Sequence, residues 1–172
     1  GPAVGAGHAP ALQVVAADFW QREEVVLESG PLRPAIQASM ALPVVFRPVT
    51  LQGRVLTDGG AVNPVPFDLL QGDCELVVAI NVVGRRSRRK GGIPGMTQAV
   101  FNTFQIMQMS IVRQKLAHRP PTIYLEPDLV DVRMLEFYRV DDVLEPAEPM
   151  RARLRTQIEH ALADLAGGRA RD

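Results

Sequence analysis

The residues of this chain best suited to chemistry gather in Leu56–Pro66, read LTDGGAVNPVP. Asp58 follows an apolar run, Val55 and Leu56, and precedes two adjacent glycines, Gly59 and Gly60. Paired glycines permit a left-handed backbone and the close approach of a neighbouring group. An aspartate at a strand end, held by such a turn, is placed to direct one carboxylate into a cleft. Pro64 and Pro66 close the stretch.

Other reactive side chains lack such a setting. The serines are Ser29, Ser39, Ser87 and Ser110, and none lies in a G-x-S-x-G elbow. Ser39 has no glycine two positions to either side, so it reads as a packing or helix-end residue. His8, His118 and His160 have no ligand-pair spacing, and no G-x-G-x-x-G or Walker loop is present, so neither a metal site nor a cofactor is expected. The lone cysteine, Cys74, rules out an internal disulfide and is expected as a small core or half-buried residue. Arg85, Arg86, Arg88, Arg89 and Lys90 fall within one loop, Gly84–Gly95. That loop suits either a solvated connector or a contact with anionic head groups. It has no interleaved aromatics for base stacking, and the formal net charge of the chain is zero, so no nucleic-acid partner is expected.

With 172 residues, 47% of them hydrophobic and 22% charged, the chain can bury one sizeable core. No apolar run approaches the ~20 residues that span a bilayer, and residues 1–10 lack the basic start and apolar block of a secretory signal. A cytoplasmic setting with at most peripheral membrane contact is expected.

The elements that must position Asp58 read as follows. Residues 1–10 form a Gly/Ala/Pro-rich lead-in, 11–166 one compact unit, and 167–172 a frayed tail. Strands are predicted at Leu12–Ala17, ending at Asp18, and at Glu24–Leu27, Gly53–Thr57, Glu75–Val83 and Thr122–Leu125. Helices are predicted from Pro31 to about Ala41, over Met96–His118 and over Pro146–Leu165. In the second, Met96, Val100, Phe104, Met107, Ile111 and Lys115 recur at spacings of three and four, widened by Phe101 and Val112, and read as a core-facing stripe. Strands alternating with helices predict an α/β fold with a largely parallel central sheet, whose functional groups collect at strand carboxyl ends. Asp18 and Asp58 both occupy such ends.

The runs ASMALPVVFRPV, LTDGGAVNPVPFDLL and ELVVAINV, in that order, resemble the C-terminal half of patatin-like phospholipase domains. The segment VVAADFWQREEVVLESGPLRPAIQASMALP resembles the same family's middle part, and the likeness extends over about Leu12–Leu165. The resemblance implies a three-layer α/β fold and hydrolysis of lipid acyl esters by a serine–aspartate dyad. It assigns the base to Asp58, with Gly59 and Gly60 completing the motif. It places the G-x-S-x-G serine and a glycine-rich oxyanion loop ahead of the strand that begins near Leu12, where this chain has neither. The expectation is therefore a base without its nucleophile, inactive alone. Three situations fit: a fragment of a hydrolase, a non-catalytic lipid- or protein-binding module, or a subunit completed by another chain that carries the serine. Missing sheet strands would leave an edge and an apolar face exposed, which favours such a complementing segment or self-association.

Overall fold

The computed structural model describes residues 3–4, 12–83, 93–126 and 141–169. The basic run Arg85–Lys90, the irregular segment expected at Asp128–Tyr138 and most of the lead-in lie outside these residues. The described chain divides into two compact units: residues up to Pro66 with Val100–Gln114, and Phe67–Ala99 with Lys115 onward.

The first unit holds a four-stranded sheet in the order β3-β2-β6-β5. Its strands are β2 (Val14–Asp18), β3 (Glu24–Leu27), β5 (Val49–Leu51) and β6 (Arg54–Asp58). Two shorter strands, β1 (Ala3–Val4) and β4 (Gly30–Pro31), pair with each other. The α/β class holds, but strand direction departs from expectation: every pair in the four-stranded sheet is antiparallel. For two of the three pairs the reason is local. β2 and β3 form a hairpin, and so do β5 and β6, and neither connection is long enough for the helical crossover that a parallel pair needs. Gln52 (φ 53°) and Gly53 (φ 77°) are the two residues between β5 and β6. Two consecutive left-handed residues suit the right-handed twist of the strands they join.

Helix α1 (Leu32–Ser39) covers this sheet. Pro34 is tolerated because it lies in the first turn, where backbone N–H groups have no helical partner. Ala35 and Ala38 are buried, and their small side chains bring the helix close to Val14, Ala16, Leu27 and Leu56. Helix α2 spans Met96–His118, as its periodicity predicts, but the expected stripe is rotated. Met96 is 84% exposed and Met107 54%, whereas Gln108 and Val112 are buried.

The second unit contains a parallel strand pair, β7 (Val78–Ile80) with β8 (Ile123–Leu125). Val77, Ala79, Ile123 and Leu125 form its buried apolar centre. Asn81, fully buried, extends the pairing through its N–H to the Leu125 carbonyl and donates Nδ2–H to the Tyr124 hydroxyl at 3.0 Å. Helix α3 runs Asp141–Arg169, beginning before the expected Pro146, and packs against β8. Lys115 of α2 is paired with Asp68 and stands 4.7 Å above the Phe67 ring, so a charged residue closes this end of the stripe. Cys74 is exposed rather than core, because β7 begins four residues later and Cys74 lies in the turn ahead of it.

Gly59, directly after β6, is buried against β2. A Cβ there would fall on the Val15 carbonyl oxygen and carbon, which are backbone atoms unable to step aside. A Cβ on Gly60 would instead meet the tip of the Gln108 side chain and, at 2.9 Å, Asp58 Oδ1. Neither glycine has a positive φ, so close approach is the sole reason for glycine at both places. Gly59→Ala is expected to cost about 3 kcal/mol or more, and Gly60→Ala nearer 1 kcal/mol because a flexible side chain can yield. Denaturant melts of the two variants check this; equal losses would refute the asymmetry.

Candidate active site

Asp58 is the last residue of β6, and the register sets its place: it stands opposite Ala16 of β2. Its own N–H donates to the Ala41 carbonyl at 3.3 Å, and the Thr57 hydroxyl donates to the same oxygen at 2.8 Å. These bonds tie the strand end to the segment that leaves α1. The chain then turns into one short 3-10 turn, Gly59–Ala61, with Asp58 as its N-cap. Asp58 Oδ1 accepts from the Gly60 N–H at 2.7 Å, an acceptor meeting one of the free donors at a helical start.

The turn is braced beneath as well as capped. The N–H groups of Val62 and Asn63 both donate to the Gly59 carbonyl, at 3.1 and 2.9 Å. Asn63 is buried, and its Nδ2–H donates to Glu24 Oε2 of β3 at 2.9 Å. The backbone then passes through Val65, whose φ of 50° lies in the left-handed region between two prolines. For a β-branched residue that conformation costs roughly 1–3 kcal/mol, which the surrounding contacts must offset.

The structure brings Asp58, Gly59 and Gly60 together as one turn. It does not bring Asp18 to them. β2 and β6 are antiparallel, so their carboxyl ends point opposite ways, and Asp18 pairs across to Leu56. Its buried carboxylate accepts from the N–H groups of Trp20 and Gln21, both at 3.0 Å, and so holds the β2–β3 turn rather than a substrate. A cleft of about 390 Å³ lies at that end of the sheet, lined by Asp18, Trp20, Gln21, Glu23, Gly53, Arg54 and Val55, without Asp58. Among the described residues no serine hydroxyl is hydrogen-bonded to Asp58, and no three His, Cys, Asp or Glu side chains are grouped to hold a metal ion. The basic residues Arg85, Arg86, Arg88, Arg89 and Lys90 lie outside the described residues.

Sequence reasoning missed Asn63, Glu24 and Gln108. For Gln108 a signal existed: it continues the Phe101, Phe104, Val112, Lys115 spacing on α2, a polar residue inside an apolar stripe.

Burial raises the Asp58 pKa above the usual carboxylate value, and the Gly60 hydrogen bond offsets part of that rise. The folded chain therefore holds this proton more tightly than the unfolded chain does. The resulting stability cost is absent where both states are protonated. It grows as pH rises from the unfolded pKa through the folded one, and is complete above it. Asp58→Asn keeps an acceptor for Gly60 and removes the buried charge. Its melting temperature at pH 7 is expected to match or exceed that of the parent by a few degrees, with the difference vanishing at acid pH. A melting temperature several degrees lower at pH 7 would refute this account.

Residues 6–70 match the family model for patatin-like phospholipase. Over 71 residues, 41% of its length, the chain is 38% identical to uncharacterized NTE family proteins of Mycobacterium bovis and Mycobacterium tuberculosis. The chain covers 20% of the length of these relatives. The matched residues contain β2 to β6, α1 and the Asp58–Gly60 turn. Over residues 6–70, with its mixed α/β architecture, the chain is similar to the patatin-like phospholipase family.

Proposed function

We propose that the chain carries the base half of a serine–aspartate dyad in a patatin-like hydrolase of lipid acyl esters. Asp58 is the base, and the nucleophilic serine lies outside these 172 residues. The observation that carries this reading is the Asp58 carboxylate itself. It is partly buried at a strand end, Oδ1 is fixed by the Gly60 N–H, and among the described residues Oδ2 is unengaged. A serine hydroxyl becomes a competent nucleophile when an adjacent base takes its proton. In this reading Oδ2 accepts that proton as the serine oxygen bonds to the acyl carbon. Asp58 then returns it to the departing alcohol as the ester C–O bond breaks. Water completes the cycle by releasing the acyl group, with Asp58 again taking and returning one proton. A base works best when its pKa lies near the working pH, so the upward shift from burial favours the role. Proton transfer and acyl transfer are complete within this pair, and the scheme calls on no cofactor.

Residues 11–166 are then the C-terminal part of the hydrolase domain, completed by a segment that bears the serine and the oxyanion donors. The setting is cytoplasmic with peripheral membrane contact. No helix among the described residues is long and apolar enough to cross a membrane. A second reading, a non-catalytic lipid- or protein-binding module, draws on exposed apolar residues: Trp20 is 71% and Val44 72% exposed.

The 172-residue chain alone is expected to resist labelling by a fluorophosphonate probe. Stoichiometric labelling at Ser39 or another of its serines would overturn the dyad. In the longer protein that includes the serine, Asp58→Asn is expected to lower short-chain ester turnover by about 10²–10⁴-fold, the usual reach of a general base. Near-normal turnover would remove Asp58 from the mechanism. If Arg85–Lys90 hold anionic head groups, the chain should bind anionic liposomes saturably and more weakly as salt increases. Absent or salt-independent binding would count against that contact.

A further inference from the structure

Gln108 stands on α2, away in sequence from every motif described above, yet its side chain ends at the Asp58–Gly60 turn. It is 7% exposed. Its Nε2 atom occupies the space where a Cβ on Gly60 would stand, and Asp58 Oδ1 lies 2.9 Å from the same point. Nε2 and Oδ1 are therefore near neighbours beside Gly60, with no hydrogen bond between them among the described residues. At its other end, Gln108 Oε1 is buried and finds no hydrogen-bond partner among the described residues. A buried amide with an unmet acceptor destabilises the fold, so an apolar residue would pack this helix face more favourably. Its two amide atoms are also not equivalent here. With Nε2 toward the turn a donor faces the carboxylate, whereas the exchanged orientation would set two oxygens against each other.

We propose that Gln108 is a positioning residue for Asp58: its carboxamide braces the Asp58–Gly60 turn and directs a donor toward the carboxylate, fixing which oxygen remains open. The assignment rests on the reading of Asp58 as a base and adds the group that orients it. Gly60 serves both neighbours, giving its N–H to Oδ1 and leaving room for Nε2. The other charged groups near the turn are already engaged. Glu24 receives Asn63, Asp18 caps the β2–β3 turn, and Arg54 pairs with Glu23 at 3.3 Å. Gln108 is the polar side chain brought to Asp58 from the helix side.

The test uses the 172-residue chain with carbon-13 in its aspartate carboxyls and nitrogen-15 in its glycines. The Asp58 titration and the Gly60 amide shift are followed in the parent, in Gln108→Leu and in Gln108→Met. Both replacements keep the helix and the volume while removing the donor, and two variants guard against one failing to fold. The expected result is an upward move of the Asp58 midpoint by about half a pH unit or more, with a displaced Gly60 amide resonance, because the charged form loses a donor. An unchanged midpoint and an unmoved Gly60 resonance in a folded variant would overturn the proposal. In the longer, serine-bearing protein, the same variants should lower kcat about tenfold with KM held, as expected when a reacting group is misaligned. A raised KM at constant kcat would overturn the positioning role. The two readings fail separately. Normal turnover by Asp58→Asn alongside a moved midpoint would sink the base reading and uphold the pairing of Gln108 with Asp58. An inactive Asp58→Asn alongside an unmoved midpoint would sink only the pairing.

Discussion

The Val15 carbonyl oxygen occupies the space in which a side chain at position 59 would begin. This contact decides how closely the turn after β6 lies on β2, and the rest of the site follows from it. Because Gly59 presses on the middle of β2, its carbonyl is placed to receive the N–H groups of Val62 and Asn63. Because those bonds form, Asn63 reaches Glu24 on the far side of β2. The turn is thus anchored across three strands, to β2 by backbone packing and to β3 by the Asn63 side chain, and only then does it present a carboxylate. Packing here uses glycine for its lack of a side chain, with no demand on its freedom of φ.

Around this anchor the polar groups divide between structure and chemistry. Asp18 and Asp58 are the same residue type at the ends of adjacent strands, but their surroundings differ. Asp18 receives two backbone donors on a single oxygen and is almost wholly buried. Such a carboxylate is committed to its turn. Asp58 receives one donor and stays partly open, with its proton affinity raised by burial. The number of donors per carboxylate, more than depth alone, separates the structural aspartate from the one proposed as the base.

Much of this was legible in the sequence, because local chemistry governs it. The strand ending at Asp58, the helix ending before Pro43 and the full span of α2 follow from periodicity and from proline and glycine positions. Strand direction was not legible. The Gln52–Gly53 turn lacks the Asn-Gly signature that marks a two-residue hairpin, so β5 and β6 did not announce themselves as partners. The rotation of α2 was hidden for a related reason. Apolar residues on this helix occupy more than one face, and only tertiary contact selects the face with Gln108 and Val112. Gln108 and Asn63 owe their roles to contacts between distant segments, which spacing within one element cannot report.

The hairpin register has a further consequence, for the order in which the molecule assembles. β2 to β6, with α1 among them, are consecutive, and the contacts that seat Asp58 on them all close within Val14–Asn63. Contacts between near neighbours in the chain carry a small loop-closure penalty and form quickly. The contacts that seat Asp58 on β2 and β3 are not of that kind: Ala16 stands 42 residues before Asp58 (58 − 16), and Asn63 bonds Glu24 across 39. That is nearly the span from Gly60 to Gln108, so the sheet and α2 close loops of similar cost around the same turn.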